Sequence, residues 1–184
     1  MIIIGITGTL GAGKGTIVDY LENEKGFTHY SVRGFLIEEI KRRKLEINRD
    51  SMTNVANELR AANSPSYVID QLYNQAVEIG ANCIIESIRT EGEITSLRKK
   101  KNFYLLAIDA ESKIRFDRIK LRKSETDHIS YETFLQNEER EFESDDPNKQ
   151  NLKRCIELAD FVLTNNGNIT QLYKQVDQIM LNIL

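Results

Sequence analysis

The sequence predicts an α/β fold with a mainly parallel five-stranded sheet, and three observations carry that expectation. The chain opens on an apolar, β-branched run, Met1 to Ile6, followed at once by a glycine-rich turn and then by apolar residues at helical spacing. Four more short apolar runs, at 27–32, 82–86, 103–108 and 160–164, recur along the chain. Stretches of helical periodicity separate them, and strands alternating with helices form parallel sheets through right-handed crossovers.

Each element has a local reason. Lys14 to Lys25 reads as a helix stopped by Gly26. Phe27 to Val32 is short and loosely alternating, which predicts the second strand. From Arg33 to Gly80 strand signals vanish and three helical patterns follow, anchored on Phe35, Leu36 and Ile40, then Met52, Val55 and Leu59, then Tyr67, Val68, Leu72 and Val77. Ser64-Pro65 predicts the start of the third, with serine as cap and proline in the first turn. Asn82 to Glu86 is the third strand, apolar until its last residue. Thr90 to Lys101 is read as a helix with a basic, solvated end, and Phe103 to Ile108 as the fourth strand. Glu111 to Lys123 is a basic helix, Ser124 to Gln150 a polar stretch that turns acidic, and Leu152 to Ala159 a helix. Asp160 to Thr164 is the fifth strand, Asn165-Asn166-Gly167 a turn, and Ile169 to Leu184 a final amphipathic helix.

The totals exclude several classes of function. A chain of 184 residues fits one domain, 1–184, with a sizeable core. Hydrophobic and charged contents of 40% and 29% are ordinary for a globular protein. A net charge of −3 argues against general nucleic-acid binding, so anion binding has to come from local clusters. No apolar run approaches the roughly 20 residues of a membrane span. Met1 leads straight into a strand and leaves no room for a signal peptide. Cys83 and Cys155 fall in strand and helix patterns, which predicts buried free thiols in a reducing compartment. Neither His29 nor His128 stands at metal-ligand spacing from a cysteine, so zinc is not implied. The expectation is a cytoplasmic protein, monomeric or a small homo-oligomer, with no membrane and no nucleic-acid partner.

Chemistry concentrates where parallel strands end. Gly8, Leu10, Gly11, Ala12, Gly13 and Lys14, then Gly15 and Thr16, lie between the first strand and the first helix. That is the context of a phosphate-binding loop. Glycines turn backbone N–H groups into one concavity, the helix adds its positive end, and Lys14 reaches the outer phosphates. The usual pattern, G-x-x-x-x-G-K-[ST], places a hydroxyl directly after the lysine. Here Gly15 takes that place and Thr16 comes one later. Glu86, at the end of the third strand, is a candidate to hold Mg²⁺ with Thr16.

The Gly-Lys-Gly-Thr ending resembles the adenylate kinase group of nucleoside monophosphate kinases. Ile84 to Thr90 is similar to the stretch of that group that ends a strand with aspartate and continues Gly-Phe-Pro-Arg-Thr. Here glutamate replaces aspartate, Ser87 and Ile88 replace glycine and phenylalanine, and the proline is missing. The ending Ala159 to Gly167, and the Ile-Arg after the third strand, resemble dephospho-coenzyme A kinase-like proteins. The resemblance implies a three-layer P-loop kinase fold, with an acceptor-binding insertion at about 33–80 and a lid at about 121–150.

It implies ATP and Mg as cofactors and a nucleoside or deoxynucleoside monophosphate as acceptor. Arg89 then grips the acceptor phosphate, Arg33 substitutes for an acceptor-side arginine, and Arg118 and Arg122 serve as catalytic lid arginines with Lys14. Asn166 and Gly167 belong to the adenine-side loop. Most of Arg42, Arg43, Arg49 and Arg60 read as solvated helix faces, and Arg140 as neutralised by its acidic neighbours. Two alternatives stand beside this. One is hydroxyl phosphorylation in the manner of dephospho-coenzyme A kinases, whose early aspartate has no match in Ser31 to Gly34. The other is a nucleotide switch or ATP-binding module. Asn148-Lys149-Gln150-Asn151 lacks the aspartate that a GTP switch requires.

Overall fold

The computed structural model describes residues 1–122 and 129–183. Lys123, His128 and Leu184, which enter the expectations above, lie outside the described residues, as does the 123–128 part of the lid segment.

The first strand, β1 (Ile3–Gly8), is buried along its whole length, as its uninterrupted apolar run requires. It leads through the glycine loop into α1 (Lys14–Lys25). Then come β2 (Thr28–Ser31), the insertion helices α2 (Val32–Arg42), α3 (Arg49–Ala62) and α4 (Tyr67–Ile79), and β3 (Cys83–Glu86). The second half runs α5 (Glu91–Arg98), β4 (Phe103–Asp109), α6 (Ser112–Arg122), α7 (Tyr131–Phe142), α8 (Leu152–Glu157), β5 (Phe161–Thr164) and α9 (Ile169–Ile183). The strands lie in the order β2-β3-β1-β4-β5, and every neighbouring pair is parallel.

Alternation along the strands divides the core into two layers. Ile3, Cys83, Ile85 and Leu105 pack against α2, α3, α4, α5 and α8. Ile4, Ile6, Ile84, Leu106 and Ile108 pack against α1 and α9. The result is a three-layer sandwich whose strands all present their carboxyl ends at one edge, where open parallel sheets bind ligands. Both cysteines are buried and free, and burial pushes the Cys83 thiol up to about 11 and the Cys155 thiol up to about 12.

Several boundaries differ from the sequence expectation, each for a local reason. The second strand is shorter at both ends. Phe27 turns back to donate to the Leu21 carbonyl, and Ser31 caps α2 by accepting from the Gly34 N–H at 3.0 Å, so Val32 is already helical. Ser64-Pro65 does not open α4. Its first residue is Tyr67, and the preceding Ser66 makes no cap bond but donates to Asp70. The fifth helix stops at Arg98, because Lys99 and Lys100 donate back to the Ser96 and Leu97 carbonyls and Asn102 turns left-handed (φ 59°). The polar stretch contains a whole helix, α7, capped by Ser130 and anchored by Phe134, which packs with Phe116 and Tyr131.

A buried ion pair joins the insertion to α5. Arg60 of α3, read from sequence as solvated, is 2% exposed. Its Nε and Nη2 donate to Glu93 Oε1 at 3.2 and 2.9 Å. Glu93 Oε2 accepts from the backbone N–H groups of Arg89 and Thr90, at 2.7 and 3.0 Å, closing the capping box of α5. Removing one partner of such a pair strands an uncompensated charge. Arg60→Ala is therefore expected to lower stability by about 3–5 kcal/mol in urea unfolding, with much of the loss recovered in Arg60→Leu/Glu93→Leu.

Candidate functional site

The glycine loop is shaped by what lies directly behind it. Gly8, Gly11 and Gly13 have φ of 138°, 79° and 105°. A Cβ on them would collide with the Ile108 carbonyl, the Arg115 carbonyl and the Asn165 amide respectively. Gly15 is different: it is helical, and a Cβ there would meet nothing within 4 Å. Side chains hold the loop from the rear. Thr9 donates to Asp109 at 2.6 Å, Arg115 to the Leu10 carbonyl at 3.2 Å, and Asn165 to the Ala12 carbonyl at 2.8 Å. Lys14 Nζ folds back onto the Gly8 and Thr9 carbonyls, both at 2.8 Å. Gly13 ends the loop with no side-chain cap on α1, so the N–H groups of that first turn face the cleft unclaimed by a capping oxygen.

The loop forms one wall of a cleft of about 620 Å³. Leu10, Gly11 and Gly13 to Thr16 line that wall, with Arg118 and Arg122 of α6 above them. Glu86, Ser87 and Arg89 supply the floor from the end of β3. The opposite wall comes from the insertion: Val32, Leu36, Met52 and Ala56 give it an apolar surface, and Arg33 and Arg49 bring charge. Arg118 Nη2 reaches Asn165 Oδ1 at 3.4 Å, while its buried Nη1 has no hydrogen-bond partner among the described residues. Ser87, at the floor, sits in the left-handed region (φ 68°).

Charge in the cleft is dense and mutually perturbing. Burial, reinforced by the Arg89 and Arg49 guanidiniums, lowers the Lys14 ammonium to about 7, against the pull of Glu86 and Glu141. Burial alone would raise the Glu141 carboxyl, but Arg89 and Arg49 outweigh it and hold the group below the usual carboxylate range. Glu86 accepts from Ser87 Oγ at 3.3 Å and has His29 Nε2 at 3.7 Å.

The chain matches the model of a family described as an AAA domain over residues 4–146. A UPF0200 protein of Methanococcus maripaludis strain C7 is 30% identical over all of this chain and 98% of its own. The chain belongs to the UPF0200 family. Among solved structures, TT1252 from Thermus thermophilus superposes with a TM-score of 0.68 at 18% identity, over all of this chain and 98% of that one. Shikimate kinase from Bacteroides thetaiotaomicron does so with 0.53 at 12% identity, over 97% and 95%. At such identities the likeness establishes the fold, which is that of the P-loop kinases.

Within this UPF0200 chain the cleft gathers Leu10, Gly11, Gly13, Lys14, Gly15, Thr16, Arg33, Glu86, Arg89, Arg118 and Arg122 around one space. Gly8 and Ala12 lie beneath the loop, where their carbonyls accept from Lys14 and Asn165. Asn166 and Gly167 are not brought into the cleft. Asn166 exchanges hydrogen bonds with Glu111, and it is Asn165 that touches the loop. Arg33 is exposed at the rim with the Met52 sulfur at 3.4 Å.

Sequence reasoning missed Arg49, Glu141 and Gln150. Arg49 is no solvated face: it donates to Glu141, which Arg89 also holds. Arg140 pairs with Asp50 of α3 at 2.9 Å and not with its acidic neighbours. Tyr131, Phe134, Leu135 and Phe142 fall at helical spacing within the polar stretch, and that pattern was the available signal for α7.

A polyphosphate bound against Lys14 would restore its charge, so binding is expected to take up a proton between pH about 7 and the ordinary lysine range, with affinity falling as pH rises through that window. Calorimetry of ATP binding at about pH 8, in buffers of different ionisation heat, is expected to show uptake of about one proton that Lys14→Arg abolishes. Ser87 stands where the resemblance has glycine. Ser87→Gly is expected to stabilise the fold by about 1 kcal/mol, read as a raised Tm.

Proposed function

We propose that this chain is an ATP-dependent small-molecule kinase that transfers the γ-phosphate of ATP·Mg to a nucleoside or deoxynucleoside monophosphate. The observation that carries the reading is a single cleft with a phosphate loop, Lys14, Arg118 and Arg122 on one wall and Arg33, Arg49 and an apolar face on the other, joined by Glu86 and Arg89. The motif resemblance and the P-loop kinase fold support it. In this reading residues 1–184 act as one domain in the cytoplasm, as a monomer or small homo-oligomer.

The residues fit the implied ligands. The left-handed glycine turn pressed against the backbone behind it, the uncapped first turn of α1, and the Arg118 Nη1, unpartnered among the described residues, suit a polyphosphate. Thr16 and Glu86 both line the cleft, and among the described residues no three His, Cys, Asp or Glu are grouped so that they could hold a metal ion by themselves. Two protein oxygens with phosphates and water suit Mg²⁺, which would draw charge from the β- and γ-phosphates.

The chain's own groups then position and neutralise. Loop N–H groups and Lys14 orient the donor, and Arg118 and Arg122 offset charge on the transferring phosphoryl. Arg89 aligns the acceptor phosphate by two-point contact. An acceptor phosphate is already anionic and needs no general base. That matches a cleft in which Glu141, held by two guanidiniums, is a weak base.

An ADP-release screen over nucleoside and deoxynucleoside monophosphates, dephospho-coenzyme A and water tests the reading. Stoichiometric phosphorylation of one monophosphate is expected; slow hydrolysis unstimulated by any acceptor would overturn it. Lys14→Ala is expected to abolish transfer with the fold intact. Arg89→Ala is expected to cost at least about 100-fold in acceptor kcat/KM, roughly 3 kcal/mol, while ATP binding changes little.

A further inference from the structure

Two arginines from distant parts of the chain converge on one carboxylate. Arg49, the first residue of α3, donates to Glu141 Oε1 through Nε at 3.0 Å and Nη2 at 2.6 Å. Arg89, beyond β3, donates to Oε2 at 2.9 Å and, through the same Nη1, to Gln150 at 3.1 Å. Glu141 is 3% exposed and lines the cleft that holds Lys14 and Glu86. Both of its oxygens are taken by guanidinium, the arrangement in which arginine pairs grip an oxyanion.

The carboxylate arrives from outside the sheet and insertion. It sits near the end of α7, whose other end is anchored by Phe134 against Phe116. Next to it Arg140 pairs with Asp50. Two ion pairs of opposite sense, Arg49–Glu141 and Asp50–Arg140, thus lay α7 on the first turn of α3. The Arg140 pair is exposed, whereas the other is centred on the buried Glu141, so the strength of the contact lies in the latter.

We propose that Arg49 and Arg89 form the subsite for a phosphomonoester on the acceptor, and that Glu141 occupies this subsite as an internal counter-ion that the phosphate displaces. This rests on the kinase reading above for the word acceptor; the subsite itself rests on the geometry. Phosphate fits better than a substrate carboxylate. As a dianion it outcompetes the resident monoanion for two guanidiniums, and its extra oxygens can also face Lys14, whose ammonium senses both arginines. Displacement breaks the buried half of the contact between α7 and α3. Acceptor arrival and loosening of the Glu141 end of α7 from α3 are therefore one event, while Phe134 keeps the rest of α7 in place.

The test is calorimetric titration of the full chain with inorganic phosphate, in a Lys14→Ala background that weakens the donor side. Glu141→Gln keeps the size and one acceptor oxygen but removes the competing charge. It is expected to bind phosphate about tenfold more tightly than the background, the modest end of measured coupling between close charges. Adding Arg49→Ala to it is expected to erase the gain. Asp50→Ala, which removes only the exposed neighbouring pair, is expected to shift binding less than about twofold.

Phosphate binding unchanged or weakened in Glu141→Gln, with its thermal melt still cooperative, would show that Glu141 merely orients the arginines and would overturn the proposal. So would an equal gain in Asp50→Ala, which would trace the effect to docking of α7. A melt lost in Glu141→Gln moves the test to Glu141→Ala with added acetate, where acetate competing with phosphate supports an anion subsite and absence of competition overturns it. No arm requires turnover, so failure of the acceptor screen and failure of this subsite are read separately.

Discussion

The close approach of the glycine loop to the ends of β4 and α6 is the constraint on which the rest of the site depends. Gly8 lies against the Ile108 carbonyl and Gly11 against the Arg115 carbonyl, with no room for a side chain at either. The polypeptide can pass there only with left-handed backbone, which glycine adopts at low cost. That passage turns the loop N–H groups and the start of α1 toward one space. It also brings Lys14 over the loop's own carbonyls, where burial and two arginines depress its ammonium. Side chains from three later elements, Asp109, Arg115 and Asn165, then hold the loop in place.

A second set of buried charges joins the insertion to this core. Glu93 both closes the capping box that Thr90 opens on α5 and pairs with Arg60, so one carboxylate fixes the backbone of Arg89 and the position of α3 together. Arg49 at the other end of α3 faces Arg89 across Glu141. The cleft is consequently a chain of alternating charges, Glu93 to Arg60 on one side and Arg49 to Glu141 to Arg89 on the other. A bare pair of guanidiniums at that depth would repel, and a carboxylate between them lowers the cost.

The core was legible because its signals are local. An apolar β-branched run before a glycine loop, and helical periodicity after it, needed no partner to be recognised, and all five strands lie where the apolar runs placed them. Boundaries failed where a cap decided them. Ser31 opens α2 and Ser66 precedes α4, because hydrogen bonding at a helix start depends on the geometry of the next turn. The α7 helix failed for another reason: four aromatic or aliphatic residues among acidic ones lower mean hydropathy below what a periodicity reading notices, and its helical form rests on packing against Phe116.

By itself the sequence determined the fold class, the phosphate loop with its displaced hydroxyl at Thr16, and the strand-end residues Glu86 and Arg89. Each follows from a short stretch whose chemistry is set by neighbours along the chain. Tertiary structure alone decided which charges meet. Arg60 and Arg49 look like ordinary helix cations in the sequence, yet one is buried on Glu93 and the other is held by the buried Glu141. The reason is physical: an ion pair between residues 33 or 92 positions apart leaves no periodic trace, since its energy depends on burial and distance, which only the packed chain supplies. The opening loop sets where the glycines and Lys14 stand, and the partnering of distant arginines sets which charges face them across the cleft.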